Sequence, residues 1–229
     1  MSVQSIVQNS LAQGRAGGAV GIAQWAIEDL RGRWYERRLG IQTQSAPTTA
    51  SLSNPEWVEY TPLPYGALMD GLRAVPLTSD THLLDYGCGM GRILIAAAAA
   101  GAGKVTGVEI QSELSSIAEH NKTKARGVRS EQVEILNTDA TAYRVPDTVT
   151  VITLFKPFGG ETLASVVTRI SESMQRAPRD LYLIFFNDQE FRTLAADTGW
   201  LRRHEARTAM ARTQWPIEWG LYRAIKNVD

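Results

Sequence analysis

The chain carries one cysteine, Cys88, in 229 residues. That excludes an intrachain disulfide and a multi-cysteine zinc site, and it fits a reducing, cytoplasmic setting. Histidine is nearly as scarce. His82, His120 and His204 are far apart in sequence and none pairs at metal-ligand spacing, so no metal is expected. Neither sign of charge is in excess, with 24 Lys and Arg against 24 Asp and Glu. A neutral chain has no overall electrostatic pull toward nucleic acid or an anionic membrane, and neither partner is expected. The one local basic cluster, Arg31, Arg33, Arg37 and Arg38, reads as a solvated helix face. Long apolar runs are missing too. The longest, residues 93–100, falls far short of the roughly 20 residues that span a bilayer and reads as a buried helix. No basic segment followed by an apolar run opens the chain, so no secretory signal is expected.

What is present suits one α/β domain. Hydrophobic residues make up 44% and charged residues 21%, enough for a sizeable core. Residues 1–56 read as an N-terminal helical extension and linker, and 57–229 as the main domain. Within the extension, residues 20–39 place Ala23, Ile27, Leu30 and Trp34 at helical spacing, as a helix packed on the main domain or covering its site. A helix is expected over 65–74, ended by Pro76. From residue 82 strands and helices alternate: strands over 82–86, 104–109, 132–136, 148–155 and 180–186, helices over 92–100, 112–126, 162–175 and 188–198. Alternation of this kind predicts a doubly wound, mostly parallel sheet with helices on both faces. Residues 201–212 and 217–225 form two more strands with no helix between them, a closing antiparallel hairpin.

The informative segment is LLDYGCGMGRIL, residues 83–94. An apolar strand leads into Asp85, and Gly87, Gly89 and Gly91 alternate before a helix. Glycines permit the sharp turn and let a ligand approach the backbone, and the helix N-terminus offers unpaired N–H groups. The dinucleotide fingerprint requires a glycine where this chain has Arg92. Glu109 ends the next strand, where a carboxylate can accept from both hydroxyls of a ribose. Asp139 and Ala140 follow the third strand, where an adenine edge would lie.

Asp85, Gly87, Gly89, Gly91, Glu109 and Asp139 together resemble the ordered motifs of class I, Rossmann-like S-adenosylmethionine-dependent methyltransferases, over residues 60 to 226. The resemblance implies a seven-stranded sheet ending in the hairpin. It implies that Asp85 lies near the methionine amino group, that the glycines flank the cofactor, that Glu109 holds the ribose, and that Asp139 and the backbone of Ala140 face adenine. The segment EYTPLPYGAL is similar to an approach loop of a bacterial subgroup and, more distantly, to the non-SET histone lysine methyltransferases. It implies that Tyr60 and Tyr65 touch the cofactor, with packing as the alternative for each.

The fourth strand runs into LFKPFGG, where that subgroup has Asn before Pro-Phe and this chain has Lys156. Asn offers a carbonyl oxygen to an amine, whereas Lys offers only donors. A charged Lys156 repels a cationic lysine and attracts an anion; a neutral one acts as a base. Phe155 and Phe158 either wall the adenine or the acceptor, Phe155 as a cofactor contact, or pack the core. After the fifth strand, Asn187, Asp188 and Glu190 lie at the carboxyl edge of the sheet, as groups that orient or deprotonate an acceptor or as helix caps. Lys156 and Asp188 are the catalytic candidates. The expected activity is methyl transfer to an O or N nucleophile of a small-molecule or sugar-type acceptor. The alternatives are a protein lysine methyltransferase, an RNA methyltransferase, an NAD-dependent oxidoreductase and a non-catalytic nucleotide-binding module.

Overall fold

The computed structural model describes residues 18–45, 60–209 and 217–224. Among them are seven strands, β1 (His82–Tyr86), β2 (Lys104–Glu109), β3 (Val133–Asn137), β4 (Val151–Phe155), β5 (Tyr182–Phe186), β6 (Leu201–Ala209) and β7 (Ile217–Ala224). The helices are α1 (Gly18–Leu39), α2 (Tyr65–Arg73), α3 (Arg92–Ala99), α4 (Ser112–Lys124), α5 (Gly160–Arg176) and α6 (Gln189–Asp197). The strand order is β3-β2-β1-β4-β5-β7-β6. The first five strands pair in parallel, and β7 enters antiparallel between β5 and β6. The expected seven-stranded sheet and closing hairpin are both present.

Strands buried on both faces explain the near-continuous apolar runs. Successive residues feed opposite layers. Leu83, Val105, Ile184, Phe186 and Trp219 pack under α2, α3 and the end of α1. Leu84, Tyr86, Val108, Ile152, Leu183 and Phe185 pack on the other face. There α5 contributes Leu163, Val166, Ile170 and Met174, one stripe at helical spacing, and α6 contributes Phe191 and Ala195.

The helix expected over 20–39 is present, but its apolar spacing does not mark the packed face. Ile27, Leu30 and Trp34 are 54%, 67% and 55% exposed. The packed face carries Glu28, Asp29, Gly32 and Leu39. The reason is polar. Glu28 pairs with Arg31 and accepts from the N–H of Gly66 at 3.3 Å, serving the first turn of α2, which has no side-chain cap of its own. Arg31, Arg33, Arg37 and Arg38 are exposed, as expected of a solvated face. Of the expected N-terminal extension and linker, residues 40–45 fold back along α1, and residues 1–17 and 46–56 lie outside the described residues.

Candidate active site

The first five strands, all parallel, end on one edge, and the loops at that edge carry the site. The β1–α3 turn holds Gly87 and Gly89 at φ of 68° and 53°, where a side chain would be strained. Space is closed as well. A Cβ on Gly87 would enter the Pro157 ring, and one on Gly89 would enter the ring of Tyr60. The turn is tied to β2, because Gly87 and Cys88 donate their N–H groups to the Val108 carbonyl at 2.8 and 3.1 Å. Asn121 of α4 donates to the Met90 carbonyl at 2.9 Å. Gly91 precedes α3 and packs against Ala118 of α4.

Asp85 lies inside the sheet edge, fully buried. Its Oδ1 accepts from Thr153 Oγ1 at 2.7 Å, and its Oδ2 has no hydrogen-bond partner. Burial pushes its carboxyl up to about 8 against the opposing Thr153 bond, and the Glu109 charge adds to the rise. Glu109 ends β2 and is only 5% exposed. Its Oε2 accepts from Gly89 N–H at 2.8 Å and its Oε1 from Gln111 N–H at 2.9 Å. Burial raises its pKa, and those backbone bonds oppose the rise. Each oxygen still has a lone pair to offer. Asp139 is exposed after β3; its Oδ1 accepts from the N–H and hydroxyl of Thr141 at 2.7 and 2.8 Å. Asn137 donates to the carbonyls of Glu109 and Ile110 at 2.8 and 3.0 Å, so the two acidic loops are stitched together. Ala140 is buried beside them.

A collar from the N-terminal part closes over the glycine turn. Arg92, the first residue of α3, is buried. Its Nε donates to Thr43 Oγ1 at 2.7 Å, its Nη1 to the Leu63 carbonyl at 2.6 Å, and its Nη2 to Glu36 Oε1 at 3.2 Å. Glu36 also accepts from the N–H and hydroxyl of Thr43. Tyr60 donates its hydroxyl to the Thr43 carbonyl at 2.8 Å while its ring covers Gly89. Burial raises the Tyr60 phenol. Tyr65 sits deeper. It stacks on Tyr35 at 4.7 Å, lies under the Arg92 guanidinium at 4.6 Å, and is pushed up to about 12 by burial. Tyr60 therefore lines the glycine turn and Tyr65 packs in the core. Sequence reasoning missed Glu36 and Thr43 entirely. Arg92 was noticed only as a missing glycine, although an arginine inside an otherwise apolar helix start was the available signal.

The opposite rim is formed by the ends of β4 and β5. Lys156 and Asn187 follow the two strands at φ of 41° and 63°, the two non-glycine positive φ values among the described residues. With Phe158, Phe185, Gln189 and Glu190 they line a cavity of about 340 Å³. Phe155 does not join them; it packs edge-to-face on Phe186 at 6.4 Å, on the other face of the sheet. Asp188 is 0% exposed. Its Oδ2 accepts from Tyr222 at 2.6 Å and Arg203 at 2.9 Å, and its Oδ1 from Arg192 at 3.0 Å. This carboxylate, expected at the acceptor, is turned into the hairpin instead. Glu190 accepts from Gly160 N–H at 2.6 Å and so fixes the loop that follows Lys156.

The sequence and the fold have counterparts among known proteins. Residues 83–176 match a family described as a methyltransferase domain. A ribosomal protein L11 methyltransferase of Burkholderia mallei is 35% identical over 88 residues, which is 38% of this chain and 24% of that relative. The chain thus spans about a quarter of the length of the curated relatives it matches. An RNA methyltransferase from Salinibacter ruber, in complex with S-adenosyl-L-homocysteine, superposes with a TM-score of 0.54 at 19% identity, covering 74% of this chain and 97% of the other. The magnesium protoporphyrin IX methyltransferase from Synechocystis PCC 6803 with bound SAM superposes at 0.51 and 16% identity, covering 69% and 74%.

Proposed function

We propose a function for a chain whose residues 83–176 form a class I S-adenosylmethionine-dependent methyltransferase domain: it transfers a methyl group to an O or N nucleophile of a small acceptor held at the β4–β5 edge. The cofactor is S-adenosylmethionine, and the residues present fit it. The observation that carries the fit is the buried, unpartnered Oδ2 of Asp85, an acceptor that calls for a donor with positive charge. The methionine amino group is such a donor. Glu109 keeps a lone pair on each oxygen for ribose hydroxyls, and Asp139 and Ala140 stand on the adjoining loop for adenine. Tyr60 over Gly89 shields this pocket from water.

When bound, the cofactor supplies an activated sulfonium methyl. The protein must orient a nucleophile toward it and keep water out. With the cofactor bound, the acceptor's lone pair would take up the methyl group and the acceptor would give its proton to solvent or a base. Lys156 and Phe158 lie on the loop whose Pro157 rests on Gly87, so the acceptor rim and the cofactor turn are in direct contact. Lys156 holds the acceptor. Asp188 is a positioning residue that locks the start of α6 to β7 through Tyr222 and to β6 through Arg203. The cavity volume suits a small molecule. The names of the relatives, methyltransferases of ribosomal protein L11 and of RNA, favour a second reading in which one side chain or base of a macromolecule enters the same cavity.

The test is calorimetric titration of S-adenosylhomocysteine and of NAD into the wild type and Glu109→Gln. Binding of S-adenosylhomocysteine alone, weakened about tenfold by the substitution (roughly 1.4 kcal/mol), supports the assignment. No binding, or binding of NAD instead, overturns it.

A further inference from the structure

We infer that the outward face of α1 docks on an anionic lipid surface, with its apolar stripe in the headgroup boundary and the arginines beside it on the phosphates. Three large apolar side chains are more than half exposed among the described residues: Ile27, Leu30 and Trp34. All three are on α1 at spacing i, i+3 and i+7, so they form one stripe about 10 Å long. Scattered apolar side chains need no explanation, but three in one line make a patch. Arg37 and Arg38 follow Trp34 by three and four residues and so flank the end of the stripe. The Arg38 guanidinium lies over the Trp34 ring at 5.4 Å. The end of α4 brings two more cations to this corner. Arg126 donates its backbone N–H to the Leu39 carbonyl at 2.8 Å and its guanidinium to the Arg37 carbonyl at 3.3 Å. The Lys124 carbonyl stands against Gly40.

Charge at this corner is unbalanced, although the whole chain is neutral. Every acid of α1 is engaged: Glu28 with Arg31 and the Gly66 N–H, Asp29 with Arg33, and Glu36 with Arg92 and Thr43. On the neighbouring chain, Glu119 pairs with Lys122 and Glu131 with Arg129. Arg37, Arg38, Lys124 and Arg126 are exposed and have no ion-pair partner among the described residues. An apolar stripe beside uncompensated positive charge is the combination that seats a helix on an anionic membrane. Other occupants match only part of it. Nucleic acid would meet the cations, but its phosphates gain nothing from Ile27 and Leu30. A second copy across a two-fold axis would cover the stripe and leave the cations unmet, since no acid of α1 is left for them. An acidic amphipathic peptide needs a groove, and here the apolar side chains crown a single helix. A bilayer accepts such a ridge. Ile27, Leu30 and Trp34 enter the acyl boundary while the arginine stems extend to the phosphates. No helix among the described residues is long and apolar enough to cross a membrane, so the contact is peripheral.

The experiment is co-sedimentation of the full chain with vesicles of phosphatidylcholine alone and of phosphatidylcholine carrying about 30% phosphatidylserine. The wild type is expected to bind the anionic vesicles only, and high salt should weaken that binding at least about tenfold. Two double variants divide the face. Leu30→Gln with Trp34→Gln removes the stripe, and Arg37→Glu with Arg38→Glu reverses the charge; each should weaken binding at least about tenfold. Arg37→Lys with Arg38→Lys keeps the charge and should keep the binding. All six substitutions are at exposed positions, and thermal melts matching the wild type keep a binding loss apart from a folding loss. A uridine oligonucleotide is titrated in parallel by fluorescence anisotropy, and the wild-type mass in solution is measured by ultracentrifugation. Anionic vesicle binding that both the Gln pair and the Glu pair reduce supports the inference. Equal binding to the two vesicle types, no binding to either, or binding that survives in the Gln or the Glu pair overturns it. Oligonucleotide binding without vesicle binding overturns it in favour of nucleic acid, and a dimer that the Gln pair dissociates, again without vesicle binding, does so in favour of a second copy.

Discussion

Asp85 shows how one side chain sets the pH behaviour of the site. Its carboxyl stands at about 8 in the fold, against about 3.9 in an unfolded chain. Between those values the folded state holds a proton that the unfolded state has released, so stability falls as pH rises through that window and levels off above it. Asp85→Asn keeps an oxygen for the Thr153 hydroxyl and removes the titration. The variant should match the wild type near pH 4 and exceed it at pH 9 by at least about 1 kcal/mol in urea unfolding. The wild type should also bind S-adenosylhomocysteine more tightly at pH 8 than at pH 6, because an ionised Asp85 attracts the ligand's ammonium. A flat stability profile in the wild type would remove the basis for this reading. At this scale the acids were legible because strand-end positions and glycine spacing mark them in one dimension. The fate of Asp188 was not. Its partners, Tyr222, Arg203 and Arg192, come from α6 and from a hairpin that follows in the chain, and only three-dimensional pairing reveals that they converge.

Helix α1 teaches the corresponding lesson for elements. Its existence was legible and its orientation was not, because spacing says which residues share a face but not which face is turned inward. The Arg92 guanidinium and the first turn of α2 demand acidic partners, and this demand outweighs the burial of Ile27, Leu30 and Trp34. Replacing those three residues with Gln should therefore change stability by no more than about 0.5 kcal/mol each. Glu36→Ala leaves Arg92 buried without its counter-charge and should cost about 3–5 kcal/mol in chemical denaturation. A larger loss from the three exposed positions than from Glu36 would reverse the orientation described here.

For the whole molecule, alternating strands and helices made the layered sheet predictable, and the absence of a helix between the last two strands marked the hairpin. The place where that hairpin joins the sheet carried no local signal. β7 lies between β5 and β6, with Trp219 buried in the core, whereas β6 is an edge strand with Arg202, Arg203, His204 and Arg207 exposed, a pattern that deters further pairing. Amide hydrogen exchange should accordingly find β1, β4 and β7 protected to the limit of global unfolding and the outward N–H groups of β6 much less so. Equal protection in β6 would mean that its outer edge is covered. The insertion of β7 between strands made before it also bears on how the chain is born. As it leaves the ribosome, β5 waits with an open margin and β6 has nothing to pair with until the last strand emerges. A chain cut short before β7 thus has its cofactor motifs complete and its sheet unsealed, a species more suited to chaperone capture than to turnover.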